Sequence, residues 1–227
     1  MKGVFRLKGL ICKELLNMAT YKRVFVGLFM AFMFLSFQGD YMPILSVTFI
    51  TVATVFAITS FSYDMFTNWD AYVMTLPVTR KEIVRSKYLW ALILMFSSSA
   101  LVFIANLIVG LVRGLPFATM RVWFITIGLT MLVSALLITL LLPLIIEFGV
   151  EKGIMVMILT GVLGGAIYFP LSKLNIDLTW LIDIKKLLEL FKGVTIKTSI
   201  VAAILLAIIL LWCSYRISYK IYSKKEF

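Results

Sequence analysis

The first half of this 227-residue chain offers few side chains that could do chemistry. Asp64 and Asp70 are about a helical turn and a half apart, a poor spacing for the shared carboxylate site of an aspartyl protease. No histidine occurs anywhere, which removes H-E-x-x-H metalloproteases, Ser–His dyads and most zinc chemistry. No G-x-x-x-x-G-K-[ST] phosphate loop is present either, so the chain does not hydrolyse ATP in the usual way by itself. Cys12 and Cys213 are the only cysteines; they are far apart and in no metal-ligand spacing, so neither a disulfide nor a zinc site is expected. The chain is expected to bind no cofactor and to be no enzyme.

The elements that carry these residues are membrane helices. The chain is 62% hydrophobic with a mean hydropathy of +1.05, and runs of about 20 apolar residues read as spans. Its net charge of +11 lies in short basic clusters between apolar runs. That is the pattern of membrane orientation and not of a nucleic-acid face. The apolar interior is nearly free of ionisable groups at mid-depth, which argues against ion-coupled carriers and intramembrane proteases.

The longest polar interruption in the first half runs from Ser62 to Trp90. Met65, Trp69, Tyr72, Val73 and Leu76 recur at helical spacing and predict one apolar face, and Pro77 ends that piece. Thr79 and Glu82 form a capping box for a second helix that continues from Arg80 into the apolar run after Tyr88. A short amphipathic helix, a proline turn and a long membrane helix are therefore expected side by side.

This stretch resembles the cytoplasmic loop after the second span in permease subunits of ABC-2 type exporters, and most of all the small six-span bacterial permeases such as the bacitracin-type and phenol-soluble-modulin exporters. Trp69, Asp70 and Tyr72 carry the resemblance, with the run L-P-V-T-R-K-E-I-V from Leu76 to Val84 and then Lys87-Tyr88-Leu89. A second point of resemblance is L-P-L-I-I-E-F-G-V-E-K-G from Leu142 to Gly153. There the family commonly has a basic residue where this chain has Glu147, which leaves the role of Glu147 open. The resemblance implies that residues 63–87 couple to a separate ATPase through Asp64, Trp69, Asp70, Tyr72, Leu76, Pro77, Thr79, Arg80, Lys81 and Glu82. It further implies two ATPase copies, which hold the ATP and Mg, and a second permease chain, identical or homologous.

In chain order, residues 1–20 place Val4, Leu7, Ile11, Leu15 and Met18 on one face, with Arg6, Lys13 and Asn17 on another. This predicts a basic amphipathic helix in the headgroup plane, an elbow helix leaning on the ATPase in the resembling family, or a plain surface anchor. Spans are expected over residues 24–37, 44–61, 88–112, 122–142, 154–171 and 199–212. Pro143 is expected to break the chain after the fourth. Glu147, Gly149, Glu151 and Lys152 then form a short inner turn, which serves either coupling or simple connection. The hydroxyl-rich second span (including Thr51), with Ser98 and Asn106 in the third and Gly161 and Gly165 in the fifth, predicts close helix packing or a polar path. Residues 172–198 are charged and periodic, which predicts an interfacial helix on the outer leaflet.

The fold class expected is thus all-α integral membrane, one six-span domain over 1–227, with an N-terminal elbow helix, a coupling helix between spans two and three, and an outer interfacial helix. Six spans put both ends on one side. Fifteen of the 22 basic residues fall in the proposed inner segments and seven in the outer ones, so both termini are expected in the cytoplasm of a bacterial cell. The expected function is the permease of an ATP-driven exporter for a hydrophobic or amphipathic cargo, such as a peptide or antibiotic. The alternative is a non-pumping accessory or immunity protein that binds a toxic peptide.

Overall fold

The computed structural model describes residues 2–38, 42–67, 69–153, 155 and 196–225. Among the described residues run α1 (Lys2–Ala19), α2 (Lys22–Gln38), α3 (Met42–Phe66), α4 (Trp69–Val73), α5 (Arg80–Val112), α6 (Phe117–Phe148) and α7 (Ile196–Lys224), and residues 150–153 are helical as well. No strand occurs among the described residues. Among the described residues, three helices are long and apolar enough to cross a membrane: Arg80–Val112, Phe117–Phe148 and Val201–Lys224. A fourth span is counted if α1 and α2 are taken together, although they meet at a 67° bend. The expected fifth span, with Gly161 and Gly165, and the expected outer helix lie outside the described residues.

α3, α5 and α6 pack on one another, and α7 lies chiefly against α6 and more lightly against α5. One buried apolar cluster, around Val73, Val84, Ala91, Leu94 and Leu142, fills the end of the bundle where α5 begins. A second, around Met42, Ile50, Val102, Val109 and Trp123, fills the other end. Between helices the hydroxyls are mostly satisfied within their own helix. Ser46, Thr48 and Thr54 donate to the carbonyls of Met42, Ile44 and Ile50, and Ser98 donates to Met95. Such i−3 and i−4 bonds leave little polarity to line a path. Thr51 is half-buried on α3, and Asn106 is fully buried, its Nδ2 bonding Ser46 Oγ at 3.3 Å. The Asn106 bond joins α5 to α3.

One expectation needs correction. Pro143 does not break the fourth span: α6 runs through it to Phe148. Proline removes the N–H that would bond the carbonyl four residues back, here that of Thr139. Ser214 Oγ of α7 donates to that carbonyl at 2.7 Å, which is how a proline is tolerated in a membrane helix. On α1, Leu10 and Glu14 are buried, Ile11 and Met18 pack against the core beside them, and Leu15 is 57% exposed.

Candidate functional site

Local chemistry at the Pro77 turn follows the residues closely. α3 continues past its apolar stretch, Met42–Ala57, to Phe66, and α4 occupies only residues 69–73. Val73 of α4 is completely buried, and Trp69 and Leu76 pack against the same core. The Val78 amide then bonds the Leu76 carbonyl at 2.7 Å across Pro77, a three-residue turn of the γ type. Thr79 is extended (φ −91°, ψ 150°) and caps α5: the Glu82 amide donates to Thr79 Oγ1 at 3.3 Å, and the Thr79 amide donates to Glu82 Oε2 at 2.8 Å. The capping box expected from the sequence is therefore present, and the turn passes without a break into a 33-residue helix.

The expected coupling residues separate into two groups. Tyr72, Pro77, Thr79 and Lys81 are exposed and form the projecting side of the turn. The remainder face inward or sideways. Asp70 accepts from the Tyr222 hydroxyl of α7 at 3.0 Å, and the Arg80 guanidinium donates to the Ser223 carbonyl of the same helix. Trp69 lies under the Lys13 ammonium, 4.6 Å from its ring centre, with the Tyr72 ring 5.4 Å away. Asp64 is buried and cannot be a direct contact in this conformation.

Asp64 belongs to an ion cluster beneath the turn. Lys87 of α5 donates to Glu14 Oε1 of α1 at 2.6 Å, to Ser60 Oγ of α3 at 2.9 Å, and to Asp64. Its three N–H donors thus have three acceptors. Lys13 bonds Asp64 and reaches Glu14 Oε1 at 3.2 Å. Two positive and two negative charges cancel, and Glu14, Asp64 and Lys87 are all buried. Desolvation costs several kcal/mol per ion, so these charges are held there only as a set. Three helices meet in it: α1, the end of α3, and the start of α5.

Next to the cluster lies a cavity of about 170 Å³ whose wall includes Asp64, Asp70, Lys87 and Tyr222. Gly149, from the second expected turn, lines it as well. Gly149 ends α6 at φ +82°, where a side chain would be strained, and its amide bonds the Ile145 carbonyl at 2.9 Å. Gly153 then approaches Ile145 so closely that an added Cβ would sit 3.2 Å from its backbone. Glu147, Glu151 and Lys152 point outward and are exposed. The fold therefore brings the Gly149 turn to the same end as α4, while Ser98 and Asn106 are buried farther along α5.

Glu14 and Lys13 are the residues sequence reasoning missed in this role. A signal existed: Leu7, Ile11, Glu14 and Met18 share a 3–4 spacing, so a carboxylate stands on an apolar stripe. A second polar clasp also went unseen. The Tyr88 hydroxyl lies 2.6 Å from Ser214 Oγ and 2.8 Å from Ser218 Oγ, joining α5 to α7 beside the Thr139 carbonyl. Cys12 and Cys213 are free and exposed, and no metal-holding cluster occurs among the described residues.

Among curated proteins and solved structures, nothing matches the chain. A family model described as ABC-2 family transporter protein matches residues 9–223. That range takes in α2 to α6 whole and most of α1 and α7, and the chain belongs to this family, as the membrane component of an ABC transporter and not its ATPase.

Proposed function

We propose that the chain is the permease subunit of an ATP-driven exporter and that a separate ATPase docks on the α4–Pro77 turn. Two ATPase copies, carrying ATP and Mg, would serve two permease chains, identical or homologous, in a bacterial cytoplasmic membrane. Both termini and the turn then face the cytoplasm, as the fifteen basic residues at that side favour. α1, bent 67° from α2, lies in the headgroup plane as the elbow helix. Residues 154–171 would supply a further span and 172–198 an outer interfacial helix, which completes six spans. The cargo is hydrophobic or amphipathic, a peptide or antibiotic.

The observation that carries this reading is the charge cluster beneath an exposed turn. An ordinary loop between spans needs no buried ions. Here a push on Tyr72, Pro77 or Lys81 meets a short helix whose Trp69 lies against Lys13, and Lys13 shares Asp64 and Glu14 with Lys87. Lys87 stands two turns into α5, which is about 50 Å long at 1.5 Å per residue. Displacement at the turn is thereby passed to α1 and α5 together, and α5 acts as a lever across the bilayer. Asp64, Trp69 and Asp70 position the turn; Tyr72, Pro77, Thr79 and Lys81 touch the partner, with Arg80 and Glu82 holding its shape.

A photo-crosslinking side chain placed at position 72 tests this in native membranes. An adduct with a nucleotide-binding protein is expected there and not from position 111, an exposed site at the far end of α5. Equal adducts from both positions, or none from position 72, would refute docking.

A further inference from the structure

Between α5 and α7, at the end of the bundle that carries the ion cluster, lies an open groove of about 320 Å³. That volume is at the lower end for small-molecule sites. Leu89, Leu92, Leu211 and Trp212 make an apolar floor, and Lys81 and Arg85, one turn apart on α5, stand at its mouth. No acidic side chain lines the groove among the described residues. The Tyr88–Ser214 bond sets the depth at which the two helices face each other. From there α5 descends through Leu89 to Leu92, and α7, running the other way, descends through Trp212 to Leu211. Charge is therefore confined to one end of the groove and hydrocarbon to the other.

Tyr215 is the second observation. It lines the groove, and its ring meets Tyr88 edge-on at 5.7 Å. Its hydroxyl is shielded from solvent yet has no hydrogen-bond partner among the described residues. Arg85 lines the same groove, and Arg216 is held 4.8 Å over the ring of Trp212, which floors it. A shielded hydroxyl without a partner is costly. Beside the Arg85 guanidinium in the same groove, the acceptor that suits it is an anionic oxygen.

We infer that this groove binds an anionic phospholipid from the leaflet on the Lys81 side, with the phosphate between Arg85, Arg216 and the Tyr215 hydroxyl. One acyl chain lies along Leu89, Leu92 and Leu211. A single amphiphile satisfies both halves of the groove, which neither a free anion nor an apolar helix does. Basic pockets between membrane helices at the headgroup level are suited to such ligands. The inference stands apart from ATPase docking: it needs only the α5–α7 pairing, and holds even if nothing binds the Pro77 turn.

The test uses the full chain reconstituted in phosphatidylcholine vesicles, with brominated phosphatidylglycerol or brominated phosphatidylcholine added at equal mole fraction. Quenching of Trp212 is read as the difference between the unaltered chain and Trp212→Phe, since four other tryptophans contribute a background. Brominated phosphatidylglycerol is expected to quench Trp212 more strongly. Arg85→Gln and Arg216→Gln are each expected to reduce that preference about fivefold, whereas Arg85→Lys retains most of it. Tyr215→Phe, which keeps charge and shape, is expected to lower it by a smaller factor, so the proposal remains testable if an arginine variant fails to fold. Lys220→Gln with Lys224→Gln, on the exposed basic tail, is expected to leave the preference unchanged. Equal quenching by the two lipids would overturn the site. So would an equal loss in the tail variant, which would mean that diffuse surface charge and not a groove attracts the lipid.

Discussion

Glu14 of α1 and Lys87 of α5 are 73 residues apart in the chain and 2.6 Å apart in the fold. That bond, with Asp64 and Lys13 around it, ties the N-terminal helix to the beginning of the longest helix, directly under an exposed turn. Removing one ion from such a set leaves the others buried without compensation. Lys87→Met is therefore expected to destabilise the protein by about 3–5 kcal/mol. Adding Glu14→Gln leaves Lys13 and Asp64 as a balanced pair, so the double variant should be less destabilised than the two single effects added together. Thermal unfolding in detergent measures this, and strict additivity would mean the four groups do not act as a unit.

The Glu14 carboxyl should also show itself in acid. Burial pushes its pKa up, but the Lys87 and Lys13 charges beside it outweigh burial and hold it below its ordinary value of 4.5. A carboxylate depressed in the folded state contributes stability above its unfolded value and loses it as pH falls through the folded one. Stability is thus expected to hold down to about pH 4.5 and to decline below it. Glu14→Gln should flatten that decline, and an unchanged acid limb would contradict the assignment.

Pro143 and Ser214 offer a test that leaves the ion cluster untouched. Ser214→Ala strands the Thr139 carbonyl that Pro143 cannot serve, at a cost of about 1–3 kcal/mol for a buried unpaired group. Pro143→Ala returns a helical N–H to that carbonyl. Ser214→Ala should then cost less in the Pro143→Ala background than alone, as a double-mutant cycle on thermal stability would measure.

The capping box is exposed and local. Thr79→Ala is expected to cost about 0.5–2 kcal/mol and to fray the first turn of α5, raising amide exchange over residues 80–83 while leaving the core at Val102 protected. Uniform exchange along α5 would mean that the cap does not hold the entry to the lever.

These features differ in how readily the sequence discloses them. The capping box and the Pro77 turn depend on neighbours three residues apart or fewer, so types and spacing suffice. The ion cluster joins Lys13, Glu14, Ser60, Asp64 and Lys87, and no local pattern pairs α1 with α5. Lys87 reads as one more inner-side charge and Asp64 as a surface contact until the fold brings them together. The only local trace is Glu14 on the apolar stripe of α1. Pro143 misleads for a related reason: proline ends a helix when the carbonyl four residues back goes unserved, and the donor that serves it here is on α7. Trp69 and Tyr72, by contrast, form the aromatic pair their spacing predicts, with rings 5.4 Å apart on α4 and Tyr72 the more exposed.

The central claim, that an ATPase grips the turn at Tyr72 and Pro77, is tested most directly by purifying the tagged chain from its native membrane in mild detergent. Proteins that accompany it are then identified by mass spectrometry. A nucleotide-binding ATPase in near-equal amount is predicted, lost in Tyr72→Ala with Pro77→Ala while the permease itself remains folded and in the membrane. Finding no ATPase in any detergent, or the same amount with the doubly altered turn, would contradict the account.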